Sequence, residues 1–451
     1  MAKASLWFAK ALLAGGWADG VRLELEGGRI AAIAAGTHPE PGEARHDIGL
    51  AGLANVHSHA FQRAMAGLTE VRGPAHDSFW TWRELMYRFV ERLGPDDAEA
   101  VAAMAFMEML ETGFTRVGEF HYLHHRPDGG AFDNPAEMAE RIAAAASQTG
   151  IGLTLLPVFY AHADFGGAPP TPGQRRFVST LEGYDRLLGG ARAAVRDLPD
   201  AVVGIAPHSL RAVTEEELGS LTAGVSGPIH IHAAEQIAEV EACIAWSGAR
   251  PVEWLLDRLD VDARWCLIHA THVNEDEVAR LARSGAVAGL CPITEANLGD
   301  GVFPARAFLD AGGAFGVGTD SNVRIDAAEE LRLLEYSQRL AHRARNVLAS
   351  GPGRSTGAEL YRRALAGGAR ALGQPHAGLI EGAAADIVSL SAERLASREG
   401  DRSIDGWIFA AGASAVEHVW RAGRQVVEHG RHRERPAIAA RYRAALERLL
   451  A

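Results

Sequence analysis

Cysteine is scarce in this chain. Its 451 residues hold three, Cys243, Cys266 and Cys291, an odd number with no Cys-x-x-Cys spacing. That argues against a disulfide framework and makes a reducing cytoplasm the expected location. Long apolar runs are missing as well, with no 18 consecutive apolar residues, so no membrane-spanning helix is expected. The first 16 residues resemble a secretory leader only superficially, because Lys10 cuts their apolar stretch into pieces too short for one. Basic residues are in deficit, 45 against 57 acidic ones, for a formal net charge of −12. Generic nucleic-acid binding needs a basic surface, so that class is disfavoured. Low-complexity tracts and long linkers are absent. What remains is an ordinary globular composition, 47% hydrophobic and 23% charged, on a chain long enough to bury a substantial core.

The order of elements is informative. Near the start, Leu6-Trp7-Phe8 and the alternating Val21-Arg-Leu-Glu-Leu-Glu26 read as strands, the second turning at Gly27-Gly28. Near the end, 385–390 and 416–430 also read as strands, with a turn at Gly423 and a helix over 437–450. Between these ends, short apolar runs recur at 51–57, 114–120, 151–160, 201–208, 228–233, 264–270, 286–291 and 314–320. Helical periodicity fills intervening segments such as 96–112, 134–148, 235–246 and 274–284. Eight strand–helix alternations point to a (β/α)8 TIM-type barrel over 51–377. The chain ends, 1–50 and 378–451, are expected to meet in one small composite β-sandwich domain.

In such a barrel, reactive groups gather at the C-terminal ends of the strands. Strand 1 ends in His57-Ser-His59, strand 4 in Pro207-His208-Ser-Leu-Arg211, strand 5 in His230-Ile-His232-Ala-Ala-Glu235, strand 6 in His269 and strand 8 in Asp320. Taken singly, each has a bland explanation. An isolated His-x-His is more often a hydrogen-bonded structural pair, a terminal Asp is more often a cap, and Glu235 suits the first turn of a helix. Their convergence on one end of one barrel changes the balance. His57, His59, His232 and Asp320 form a ligand set for one divalent metal ion, Zn²⁺ first and Fe²⁺ second. A bound metal lowers the pKa of water from 15.7 to about 7, giving hydroxide at neutral pH. Glu235, His269 and Asp320 stand beside it as the acid and base groups.

These residues resemble the amidohydrolase superfamily, whose members join a (β/α)8 barrel to a small β-sandwich made from both chain ends. No lysine stands at the end of strand 4 to bridge two metals, and the His-x-x-Glu after strand 5 is similar to the mononuclear deaminase branch. Within that branch, Asn55-Val-His-Ser-His-Ala-Phe-Gln-Arg-Ala-Met-Ala-Gly-Leu68, Ser78-Phe-Trp-Thr-Trp-Arg-Glu-Leu-Met-Tyr87, Glu119-Phe-His-Tyr122, His230-Ile-His-Ala-Ala-Glu-Gln236, Gly318-Thr-Asp-Ser-Asn322 and Glu335-Tyr-Ser-Gln-Arg-Leu340 resemble the formimidoylglutamate deiminases. The resemblance implies hydrolysis of N-formimino-L-glutamate to N-formyl-L-glutamate and ammonia, in histidine degradation. It also implies a small anionic substrate and a homodimer. Arg83, Tyr122 and Arg211 would hold the substrate, with Gln62 and His208 near its formimino group. Trp80 and Trp82 are expected to shape the 61–95 loop, a candidate lid, more than to touch substrate.

Three alternatives remain open at this point. A nucleobase-type deaminase of the same superfamily, acting on guanine or cytosine, would favour amide and aromatic contacts over two arginines. A non-catalytic binding protein of this fold would have shed ligands, and none is missing. An N-acyl hydrolase would often use two metals and the absent strand 4 lysine.

Overall fold

The structure, a computed structural model, describes residues 4–72 and 79–451. Eight parallel barrel strands run Leu53–Ser58, Phe114–His121, Gly152–Phe159, an interrupted fourth (Val202–Val203 and Ala206–Pro207), Ile229–Ala233, Trp265–His269, Val287–Leu290 and Ala314–Val317. The eighth pairs with the first through Val317 and Asn55. The fourth joins the fifth where His230 N–H donates to Ile205 O (3.0 Å) and His232 N–H to His208 O (3.0 Å). The ring is therefore closed by hydrogen bonds at its weakest strand.

Most strands are buried on both faces, as expected when helices cover the outside and side chains fill the inside. The helices follow sequence cues. Gly94 precedes Pro95–Glu111, with proline at its start, and Gly150 ends Glu137–Thr149 in a left-handed conformation that a Cβ would strain. Helix Thr356–Ala371 lies so close to the barrel that a Cβ at Gly367 would sit 1.9 Å from Phe315 O. Only glycine allows that approach.

The chain ends form a separate eight-stranded sheet. Its order places the C-terminal strands Arg431–His432, Arg424–Glu428, Val416–Arg421 and Ile387–Leu390 beside Arg45–Ala51, Ala4–Leu13, Gly16–Glu26 and Arg29–Ala34. The two ends join where Val388 pairs antiparallel with Leu50. The sheet bends back over its own core of Phe8, Val21, Leu23, Ile30 and Trp420, and Ile30 N–H donates to Ala383 O (3.0 Å) beyond the opposite half. The expected hairpin at Gly27-Gly28 is present, both glycines having positive φ as a tight two-residue turn requires.

One expectation needs correction. The 61–95 segment is not simply a loop: it holds a short 3-10 helix, Ala60–Met65, and an α-helix, Phe79–Val90. Residues 73–78 of the expected lid lie outside the described residues. Aromatic side chains obscure the periodicity of Phe-Trp-Thr-Trp-Arg-Glu-Leu-Met-Tyr-Arg-Phe-Val, because apolar groups occupy nearly every face. No helix among the described residues is long and apolar enough to cross a membrane.

Candidate active site

Three imidazoles meet at the rim of the barrel. His57 Nε2 lies 3.2 Å from His59 Nε2 and 3.1 Å from His232 Nε2. Asp320 Oδ1 stands 3.4 Å from His57 Nε2 and 3.3 Å from His59 Nε2. The other ring nitrogens settle the tautomers: His59 Nδ1–H donates to Phe120 O (2.9 Å) and His232 Nδ1–H to His208 O (3.0 Å). Lone pairs on both Nε2 atoms are thus aimed at one point, with a carboxylate beside them. Burial, with the neighbouring imidazoles, holds His57 and His232 well below the usual histidine range, so both rings are neutral, the form that ligates a metal. A divalent ion with bonds of about 2.0–2.2 Å keeps neighbouring ligand atoms about 3.0–3.6 Å apart, whether four ligands hold it alone or a water makes a fifth. The observed separations fit that cage, and a bare cluster of facing lone pairs would otherwise be repulsive.

The backbone at the site is strained. Ala234, His269, Ala270, Asp320 and Asn322 all have positive φ, between 44° and 67°, each costing on the order of 1–3 kcal/mol. Local hydrogen bonds over-determine these turns. Asn322 Nδ2 donates to Asp320 O (3.0 Å), His59 O (3.1 Å) and Ser58 Oγ (3.1 Å), tying the eighth strand end to the first. Asn55 adds a second tie, its Oδ1 accepting from Thr319 N–H at 3.1 Å.

Beside the cage lies an acid–base group. His269 Nε2 is 3.7 Å from Glu235 Oε1 and 3.6 Å from Asp320 Oδ2. Behind it, His269 Nδ1–H donates to Glu295 Oε1 (3.2 Å). Burial works against charge on His269, yet the carboxylates of Glu235, Glu295 and Asp320 hold it well above the ordinary value. Glu235 is pushed up to about 7, chiefly by burial, with Asp320 and Glu239 adding to the shift. A glutamic acid near neutrality can both give and take a proton.

The lining of the same cavity is also basic and aromatic. Arg83, Arg211, Tyr122, Gln62 and His208 line it together with His59, His232, Glu235, His269 and Asp320. Among the described residues, no carboxylate pairs with Arg83 or Arg211. Arg211 is buried, and its Nε has no hydrogen-bond partner. Both guanidiniums flank the Trp80 ring, at 4.6 Å for Arg83 and 5.7 Å for Arg211. Gln62 Nε2 donates to Tyr122 Oη (2.9 Å), while Gln62 Oε1 is buried without a partner. Ten of the eleven residues singled out in the sequence line one cavity, and the eleventh, His57, is buried behind it against His59 and His232. His230 does not line it: it sits one layer deeper, its Nε2 against Ala371 O at 2.8 Å.

Several residues at the site escaped the sequence reading. Trp82, expected only to shape the loop, lines the cavity, as do Tyr87 and Tyr160. Glu295 and Asp300 sit in Thr294-Glu-Ala-Asn-Leu-Gly-Asp300, which carries no ligand-type spacing. Both are buried, and burial together with Glu235 pushes Asp300 up to about 8. Glu119 is buried on strand 2, where its Oε1 accepts from Ala60 N–H at 2.8 Å. Acidic residues inside a strand, or just past one after a proline, are the only signal that could have found these.

Known proteins agree with this architecture. The model of the "Amidohydrolase family" matches residues 48–426, and that of "Formimidoylglutamate deiminase HutF, N-terminal domain" matches residues 6–47. The chain belongs to the amidohydrolase family. A curated formimidoylglutamate deiminase of Pseudomonas aeruginosa is 52% identical to it, over 95% of each chain. An 8-oxoguanine deaminase of the same organism is 28% identical, over 95% of each. The crystal structure of an amidohydrolase from Brucella melitensis is similar at a TM-score of 0.97 and 56% identity, covering 99% of this chain and 100% of that one. An adenosine deaminase from Xanthomonas campestris with bound zinc shares the fold, with a TM-score of 0.80 at 22% identity over 99% of this chain and 98% of that one.

Proposed function

We propose that this protein hydrolyses N-formimino-L-glutamate to N-formyl-L-glutamate and ammonia, the step that formimidoylglutamate deiminases perform in histidine degradation. The observation that carries this reading is the pair of arginines that line the cavity. Arg83 and Arg211 line it together with the ligand and acid–base residues, and among the described residues neither forms an ion pair with a carboxylate. A formimino group is an amidine, a strong base that is cationic at neutral pH, and glutamate adds two carboxylates. The two carboxylates match the two guanidiniums, whereas a neutral nucleobase leaves both arginines unpaired.

His57, His59, His232 and Asp320 would hold one divalent metal, zinc as the first choice and ferrous iron as the second. When bound, that ion supplies a water acidic enough to ionise near neutral pH. The remaining roles belong to the chain. Arg211 and Arg83 bind carboxylate oxygens, for which the forked guanidinium is suited. Gln62 Oε1 accepts an N–H of the formimino group, with Tyr122 and His208 packing beside it. Asp320 Oδ2 accepts a proton from water, and Glu235 delivers protons to the nitrogen that leaves as ammonia. His269, kept cationic by three carboxylates, steadies negative charge that develops on oxygen. A cytoplasmic homodimer acting on a small anionic substrate, with no nucleic-acid or membrane partner, completes the proposal.

Arg211→Met tests the substrate assignment. The variant should raise KM for N-formimino-L-glutamate by about a hundredfold, since removing a buried charged partner costs about 3 kcal/mol. An unchanged KM in the folded variant would exclude Arg211 from carboxylate binding and sink this reading of the cavity.

A further inference from the structure

Tyr160, at the end of the third barrel strand, takes no part in the account above, yet its hydroxyl is arranged for a purpose. The key is the buried Gln174. Its Oε1 accepts from the backbone N–H of Thr171 at 2.7 Å, and a backbone N–H can only donate, so the amide cannot be turned around. Nε2 is therefore the group that faces Tyr160, and it donates to the phenolic oxygen at 2.7 Å. A phenol that receives a hydrogen bond still has its own hydrogen to give. Among the described residues no hydrogen bond from it is made, although Tyr160 is buried and is one of the residues lining the cavity.

A second unspent donor lies close by. Ala161 and His162 both donate their N–H to Ala212 O, at 2.9 and 3.1 Å, which holds the end of the third strand against the segment carrying Arg211. Arg211 Nε is also buried without a partner. Buried donors left unmade are costly, and a site built to bond an oxygen rejects analogues that lack it. Two such donors, one cationic and one neutral, suit the two oxygens of a carboxylate.

We propose that Tyr160 is a specificity-determining residue: its hydroxyl donates to a substrate carboxylate that Arg211 also binds. The inference rests on the dicarboxylate reading of the cavity, and one comparison separates the two. The metal-loaded wild type and Tyr160→Phe, which removes a single oxygen, are titrated calorimetrically with glutarate and assayed with N-formimino-L-glutamate. Glutarate binding should weaken about tenfold in Tyr160→Phe, with KM rising by a similar factor and kcat staying within about threefold. Equal glutarate affinity and equal KM in the two folded proteins overturn the role of Tyr160. So does a fall in kcat with KM unchanged, which would place the hydroxyl in the chemical step instead. If wild type binds glutarate more tightly than Tyr160→Phe but does not turn over N-formimino-L-glutamate, the role of Tyr160 stands and the reaction assigned above fails.

Discussion

At the scale of single residues, the proposed reaction divides the site into groups that would hold and groups that would move protons. We assign Glu235 to the second kind. It touches His269, it is raised to about 7 by burial, and it lies outside the cage of four ligand atoms. Glu235→Gln keeps the shape and removes the exchangeable proton. It should lower kcat by about 10²–10⁴-fold, the usual worth of a positioned acid or base, while metal content measured by elemental analysis stays the same. A kcat within a few fold of wild type would remove Glu235 from the chemistry. The residues that carry this contrast were legible early because ligating and proton-moving chemistry uses few residue types, and all of them fell at strand ends. Tyr160 and Glu295 were not. Their roles depend on which way Gln174 and His269 face, a matter of three-dimensional hydrogen-bond direction that linear spacing does not encode.

At the scale of elements, the barrel works by holding strand ends still. Helix Thr356–Ala371 shows how tightly: Gly367 lets it pack directly on the Phe315 carbonyl of the eighth strand, three residues from the turn that leads to Asp320. Gly367→Ala would push a methyl group into a backbone oxygen that has no free side to move into. Overpacking of this kind costs about 1–3 kcal/mol, and sometimes more, so the thermal midpoint should fall clearly. A variant that melts with wild type would show the helix is free to retreat. Strand positions were readable within three residues, the fourth being interrupted, because buried parallel strands are short apolar runs between helical periods. Helix Phe79–Val90 was missed for the converse reason. It spreads Trp80, Trp82, Arg83, Met86 and Tyr87 over several faces, since one side walls the cavity and another packs on the barrel.

At the scale of the whole molecule, two sheets built from different parts of the chain share one purpose. The terminal sheet closes with residues about 340 positions apart in sequence, as in the pairing of Leu50 with Val388, and such long-range pairing is slow to form and must be stable once made. That the two ends meet was foreseeable from their strand-like alternation. That they form one continuous sheet bent over its own core was not, because pairing partners leave no local mark. The metal site ties this stability to function. A ligand bound only by the folded state adds about 2.7 kcal/mol at a hundred times its dissociation constant. Dialysis against a chelator should therefore lower the thermal midpoint and abolish turnover together, and one equivalent of zinc should restore both. Activity that persists in protein shown by elemental analysis to be metal-free would break that link.

The measurement that bears most directly on the central claim is ammonia release by the metal-loaded protein, compared across N-formimino-L-glutamate, N-formimino-L-aspartate, guanine and cytosine. The pair of arginines lining the cavity predicts that N-formimino-L-glutamate has the highest kcat/KM, with one N-formyl-L-glutamate formed for each ammonia. Guanine or cytosine turning over faster, or no ammonia from N-formimino-L-glutamate with the metal in place, would contradict it.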